Sequence, residues 1–285
     1  MAVMKTFTVI TPCYNAAHMI GDTLRSILSQ SVFIHGKARL EYILCDGGSA
    51  DDTVQIAEAL LKQTPNCKYR IISERDNGMY DALVKGLKQA TGDYVSYLNA
   101  GDLYAPGCME VLDELLVSEK IKWITGLRVL INDNAQVTGI RLPFRFTRSF
   151  VLKGYYGRFL PFIQQESTFW RRELIDTLDL AYLSTLKTAG DYYLWTCFAG
   201  VTDLFVAETQ IGAFRIHRGQ KSEDKSAYFR ERKAFLKPAG ISLIADLPGM
   251  IYEWLYFFAD YNKTRANTRT LLTFDHQKGQ WKLPQ

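Results

Sequence analysis

Cysteine is sparse in this 285-residue chain: five residues, at 13, 45, 67, 108 and 197, with no C-x-x-C pair among them. An odd, scattered set of thiols excludes a disulfide-built scaffold and suits a reducing compartment. Long apolar runs are missing too. The best candidate, Ala239 to Tyr261, is interrupted by Asp246, Pro248, Glu253 and Asp260, so nothing reads as a membrane span. The N-terminus reads as a strand rather than a secretory leader. No G-x-G-x-x-G follows a strand-like run, which argues against a dinucleotide-dependent dehydrogenase. Charge of one sign is also scarce. Lys+Arg 34 against Asp+Glu 30 leaves +4, too mild to mark a nucleic-acid binder.

What is present is an ordinary globular composition. Hydrophobic residues make up 47%, enough for a sizeable core and too many for a disordered chain. At about 150 residues per domain the length allows two units, or one large unit with an appendage. From Arg215 onward there are 13 Lys/Arg against 7 Asp/Glu, and before it 21 against 23. The basic character therefore sits in the C-terminal quarter.

Strand and helix signals alternate over the first 100 residues. Thr6–Ile10, Leu40–Cys45, Tyr69–Ser73 and Tyr94–Leu98 read as strands. Helical patterns fill His18–Gln30, a segment from Ser49 to Lys62 and Met79–Gln89, with Ser49 and Asp52 placed as a short capping box. Such alternation implies a mostly parallel sheet flanked by helices. Beyond Pro106 the pattern predicts a helix over Val111–Val117 and an antiparallel pair, Trp123–Ile131 with Gln136–Arg141. Residues 143–165 lack a clean period and read as a surface excursion. Ser167–Trp170 reads as a short strand, Ala189–Phe198 as a helix, and Leu204–Ala207 and Gly212–Ile216 as late strands. The remainder looks mainly helical, which suggests units 1–220 and 221–285.

Parallel sheets bind ligands beyond the carboxyl ends of their strands. Polar clusters fall at four consecutive ends: Thr11–Asn15, Asp46–Ser49, Glu74–Asn77 and Asn99–Asp102. Turn chemistry alone does not require all four.

In their order and spacing, seven segments resemble glycosyltransferase family 2, the inverting family with the GT-A fold: T-V-I-T-P-C-Y-N-A (8–16), C-D-G-G-S-A-D-D-T (45–53), E-R-D-N-G-M-Y-D-A (74–82), A-T-G-D-Y-V-S-Y-L-N-A-G-D (90–102), Q-Q-E-S-T-F-W-R-R (164–172), G-D-Y-Y-L-W (190–195) and F-R-I-H-R-G (214–219). Each alone is weak, and together they cover about the first 220 residues. The likeness is to enzymes that build bacterial surface polysaccharides, including lipopolysaccharide.

The resemblance implies a GT-A fold, Rossmann-like, with a small antiparallel part and a C-terminal helical extension. It implies transfer of a sugar from a nucleotide-sugar, most naturally a UDP-sugar, to a hydroxyl of a glycan or lipid-linked acceptor. Asp46 takes the place of the residue that bonds the base, with Thr11, Pro12 and Tyr14 around the nucleotide. Arg75 and Asp76 lie across it, pairing with phosphate and with ribose or base. Asp81 either faces the donor sugar or balances its helix N-terminus. Asp102 is the surviving acid of a paired motif and the expected ligand for Mg2+ or Mn2+. The other acid of that motif is missing from Asn99-Ala100-Gly101-Asp102, and Asn99 offers a ribose contact instead. His217 is placed near metal or diphosphate, with Arg215 and Lys221 beside it. Asp191 matches the base that activates the acceptor, and Glu166 is the alternative base or a sugar contact. Trp170, Tyr192 and Trp195 offer either a carbohydrate-stacking face or core.

The C-terminal stretch Gly249–Tyr261 is rich in Tyr, Trp and Phe, and Lys263, Arg265 and Arg269 follow. That composition suits peripheral contact with an anionic membrane from the cytoplasmic side, or packing on the catalytic unit or on a second copy of the chain. Competing functions are a nucleotidyltransferase, disfavoured because Thr11–Asn15 lacks a glycine- and basic-rich triphosphate loop, and a degenerate sugar-nucleotide binding module.

Overall fold

The computed structural model describes residues 4–65, 67–141, 146–216, 220, 225–236, 246–251 and 270–284. The chain opens with β1 (Thr6–Cys13), α1 (Ile20–Leu28), α2 (Ser31–Ile34), β2 (Arg39–Asp46), α3 (Thr53–Lys62), β3 (Cys67–Ser73), α4 (Met79–Leu87) and β4 (Tyr94–Tyr97). It continues through β5 (Leu103–Tyr104), α5 (Cys108–Leu115), β6 (Trp123–Thr125), β7 (Arg128–Ile131), β8 (Val137–Arg141) and α6 (Arg148–Leu152). After a 3-10 turn at Gln165–Ser167 come β9 (Phe169–Arg171), α7 (Leu180–Thr185), α8 (Gly190–Val201), β10 (Leu204–Ala207), β11 (Gly212–Arg215) and α9 (Lys225–Phe235). Three short strands, β12 (Leu271–Leu272), β13 (Phe274–Asp275) and β14 (Gln280–Trp281), follow.

The main sheet has eight strands in the order β12-β10-β6-β9-β4-β1-β2-β3. All its pairings are parallel except those of β9, which runs antiparallel to both neighbours. Burial explains the strand sequences. β1 and β2 are covered on both faces and read as almost unbroken apolar runs, whereas the edge strand β3 alternates. One face carries α1, α3 and α5 through Ile20, Leu24, Ala57, Leu61 and Leu112. The other carries α4, α7 and α8 through Leu83, Leu87, Leu183, Leu194 and Phe198. A second sheet, β5-β11-β7-β8, stands beside the carboxyl edge of the first.

Several sequence expectations need correction. Trp123–Ile131 is not one strand: β6 stays in the main sheet, the chain turns at Gly126-Leu127, and β7 enters the second sheet. Ser49 does not cap α3, which begins at Thr53; its hydroxyl bonds Asp46 instead. The 143–165 stretch is not a surface excursion where it is described. Phe150, Val151, Tyr155, Tyr156, Leu160 and Ile163 are buried against the α8 side of the core, and it is aromatic because it is interior. Trp170, Tyr192 and Trp195 are likewise core, with Trp123 stacked on Trp195 at 5.6 Å, so they offer no carbohydrate-stacking face. The C-terminal stretch also contributes strands: β12 joins the main sheet beside β10. A two-residue strand carries too little pattern to be seen in sequence. Among the described residues no helix is long and apolar enough to cross a membrane.

Candidate active site

The site grows from the carboxyl edge of β1–β4. β2 ends on Asp46, which is 2% exposed. Its carboxylate accepts hydrogen bonds from Ser73 Oγ at 2.7 Å, from the backbone N–H groups of Ser49 and Gly48 at 3.0 and 3.2 Å, and from the Ser49 hydroxyl. One carboxylate thus ties the ends of β2 and β3 together. The Gly47 position must be glycine for a steric reason: a Cβ there would lie 2.6 Å from Asp76 Oδ2. Asp76 in turn accepts the Gly78 N–H at 2.8 Å. Arg75 is exposed, with its backbone 3.5 Å from where a Gly48 Cβ would stand. Tyr14, 64% exposed, projects from the β1 turn, while Thr11 and Pro12 are buried within β1. Asp81 accepts the Asn77 N–H at 2.9 Å, so it fastens the turn into α4.

The next group lies past β4. Asp102 is buried, and one oxygen accepts the Arg215 backbone N–H at 2.9 Å. The Arg215 guanidinium is itself buried and donates to the Gly101 carbonyl at 2.7 Å, so it is a structural clamp facing Asp22 at 3.4 Å. Asn99 donates to Gln165 Oε1 at 3.0 Å, and Gln165 reaches back to the Tyr97 carbonyl. These bonds bring the Gln165–Ser167 turn against the end of β4. β11 presses on the same turn, because Gly212 has no side chain to strike the Glu166 carbonyl. Glu166 is 3% exposed, and its Oε1 is buried without a hydrogen-bond partner among the described residues. Burial raises the proton affinity of both acids. Glu166 is raised further by the Asp102 charge, and the Arg215 N–H and Asn99 act against the rise at Asp102.

Asp191 stands in the first turn of α8, half-buried. Burial pushes its carboxyl up to about 6, against the Tyr192 N–H, the Tyr228 hydroxyl and the Arg232 charge. Its negative charge adds, as the smallest of several causes, to the rise at Glu166. The start of α8 is held from α9. Glu231 accepts the N–H groups of Lys187, Thr188 and Ala189 at 2.7, 2.7 and 2.6 Å and the Thr188 hydroxyl at 2.9 Å. Burial opposes its ionisation, but these donors prevail and hold it below the ordinary glutamate range. Arg232, buried, lies 3.7 Å over the Tyr192 ring and donates to the Tyr156 carbonyl at 2.9 Å. Tyr228 reaches Asp191 Oδ2 at 3.4 Å, and Tyr80 OH accepts the Asp191 N–H at 3.1 Å.

Asp46, Arg75 and Asp76 therefore share one pair of loops, and Asn99, Asp102 and Glu166 share another, while Asp191 stands at the head of α8. His217 and Lys221 lie outside the described residues, as do most of the C-terminal aromatics and the basic residues after them. Sequence reasoning missed Tyr80, Tyr228, Glu231 and Arg232. In α9 the residues at 228, 231, 232 and 235 form a helical stripe. Two of the four are charged, so the buried face looks like a solvated one.

The model of the family described as "Glycosyl transferase family 2" matches residues 8–178. The chain is 24% identical over 192 residues to the Escherichia coli UDP-Glc:alpha-D-GlcNAc-diphosphoundecaprenol beta-1,3-glucosyltransferase WfgD, covering 66% of this chain and 67% of that one. It is 37% identical over 98 residues to a PGL/p-HBAD biosynthesis glycosyltransferase of Mycobacterium bovis, 34% of this chain and only 35% of that protein. Among solved structures, S. aureus TarS 1–349 in complex with UDP has the same fold, with TM-score 0.61 at 17% identity, covering 91% of this chain and 73% of that one. The mannosyltransferase PcManGT from Pyrobaculum calidifontis, in complex with GDP-Man and Mn2+, gives TM-score 0.59 at 16% identity, over 90% and 71%.

Proposed function

The chain belongs to glycosyl transferase family 2, and from that premise we propose that it moves a sugar from a UDP-sugar to a hydroxyl of a glycan or lipid-linked acceptor, with inversion, in surface polysaccharide synthesis. The observation that carries the reading is Asp191. It is a carboxyl raised to about 6 at the head of α8, a helix start held from α9, and near enough to Glu166 for the two charges to interact. A base is most effective when its proton affinity is near working pH. UDP is the donor class bound by TarS and named for WfgD.

In this mechanism the Asp46 and Arg75–Asp76 loops hold the nucleotide, with Tyr14 against its outer face. Asp191 takes the proton of the acceptor hydroxyl, whose oxygen attacks the anomeric carbon. The bond from that carbon to the diphosphate breaks, and its electron pair leaves with the diphosphate. One displacement, with no covalent intermediate, inverts the anomeric centre.

Among the described residues no group of three or more His, Cys, Asp and Glu could hold a metal ion alone. The residues present still fit a divalent cation shared with a diphosphate: Asp102 is a buried acid beside a second buried carboxyl, Glu166, one of whose oxygens has no donor. Asp102 would hold the ion, with His217 the further candidate. When bound, such an ion offsets charge growing on the leaving diphosphate. The aromatic and basic residues of 249–269 support contact with an anionic membrane surface, where a lipid-linked acceptor is met.

Release of UDP from a panel of UDP-sugars, with Mn2+ and with chelator, tests the reading. Asp191→Asn should lower transfer by about a thousandfold and leave UDP binding by calorimetry intact. Wild-type turnover in that variant would remove Asp191 from the mechanism, and no UDP binding in any condition would remove the donor.

A further inference from the structure

The register of β7 on β8 sets Arg128 directly opposite Arg141. Like charges facing one another across an antiparallel pair repel. No carboxylate among the described residues lies within ion-pair distance of either guanidinium. The Arg128 Nε–H is buried and has no acceptor among the described residues. Burial first, then the Arg141 charge, weakens the hold of Arg128 on its proton, with Glu166 acting the other way. A folded protein that buries a donor and sets two cations side by side gains from an anion between them.

The position of the pair indicates which anion. β7 starts at the residue after Leu127, whose carbonyl lies 3.5 Å from the Ser167 hydroxyl. Leu130 is the register partner of Phe214 on β11, so Arg128 falls level with Gly212, the glycine that packs on Glu166. Arg128 thus lies beside the strand that packs on the Gln165–Ser167 turn, near enough to Glu166 for the two charges to interact. We propose that Arg128 and Arg141 form a phosphate-binding fork for the acceptor, which makes the acceptor a sugar carrying a phosphate or diphosphate. Guanidinium suits that role, since each can give two parallel N–H bonds to phosphate oxygens. The other source of the same chemistry is the diphosphate of the donor.

The inference rests on the glycosyl-transfer reading, and the test separates the two. Phenyl phosphate is titrated by calorimetry into protein saturated with UDP and Mg2+, so that the donor side is filled. The expected result is binding that weakens about tenfold in Arg128→Gln and in Arg141→Gln, with UDP affinity within twofold of wild type, which also shows that the variants fold. Absence of phenyl phosphate binding to the UDP-saturated protein overturns the proposal, as does undiminished binding in both variants. Loss of UDP affinity in Arg128→Gln together with phosphate binding only to UDP-free protein assigns the pair to the donor and overturns it too. Failure of the broader reading looks different: UDP does not bind at all, or Asp191→Asn transfers normally.

Discussion

Asp46 and Glu166 are both buried carboxyls at the site edge of one molecule, yet their surroundings are opposite. Asp46 is surrounded by hydroxyls and backbone N–H groups from two loops. Glu166 has an oxygen with no donor and a second acid nearby that adds to the cost of its charge. Asp191 lies between these extremes, supplied with donors but still raised to about 6. The Asp46 loops, the proposed nucleotide half, are thus held by their own hydrogen bonds. In the proposed transfer half burial opposes ionisation of the carboxyls, and a cation or an acceptor proton can offset that cost.

The comparison can be broken first at α9. Glu231→Ala removes the acceptor of three backbone N–H groups at the head of α8, and kcat should fall by about a hundredfold through misplacement of Asp191. UDP affinity should stay unchanged, and an equal loss of UDP binding would mean that α9 supports the whole site. Next come two substitutions expected to move stability in opposite directions. Asp46→Ala leaves its donors unpaired and should cost about 1–3 kcal/mol, seen as a lower Tm with weaker UDP binding. Glu166→Gln removes a carboxyl whose ionisation the fold resists. A raised carboxyl penalises the fold above its folded pKa and not below its unfolded one, so Tm should rise by about 2–4 °C at pH 8. The gain should vanish near pH 4. A fall in Tm at pH 8 would show that the Glu166 charge is compensated. The smallest effect belongs to Tyr228→Phe. Wild-type kcat should drop about tenfold per pH unit below about 6, as Asp191 takes up its proton. Tyr228 donates to the ionised carboxylate, so its loss raises the proton affinity and shifts that limb to higher pH. An unmoved limb would uncouple α9 from the base.

Much of the nucleotide half was legible because each of its parts is local. β1 to β4 announce themselves by continuous or alternating apolar runs, and Asp46 falls where β2 ends. The transfer half was less legible. Gly190-Asp191 could be placed by motif, but the residues that hold it, Tyr80, Glu231 and Arg232, come from helices about 110 residues before and 40 residues after it. The aromatic 143–165 stretch lacks a clean period and so reads as surface, although Phe146, Phe150, Tyr155 and Tyr156 are interior. The Arg128–Arg141 pair was invisible because cross-strand register depends on how β7 leaves β6.

The sequence by itself determined the alternation of strands and helices, the parallel sheet and the acids at its carboxyl edge, because periodicity and turn chemistry act over a few residues. Tertiary structure alone decided which of those acids are satisfied and which ionise only at a cost. Desolvation, unpaired donors and the approach of a distant helix depend on what lies across the fold, and no short stretch of chain encodes them.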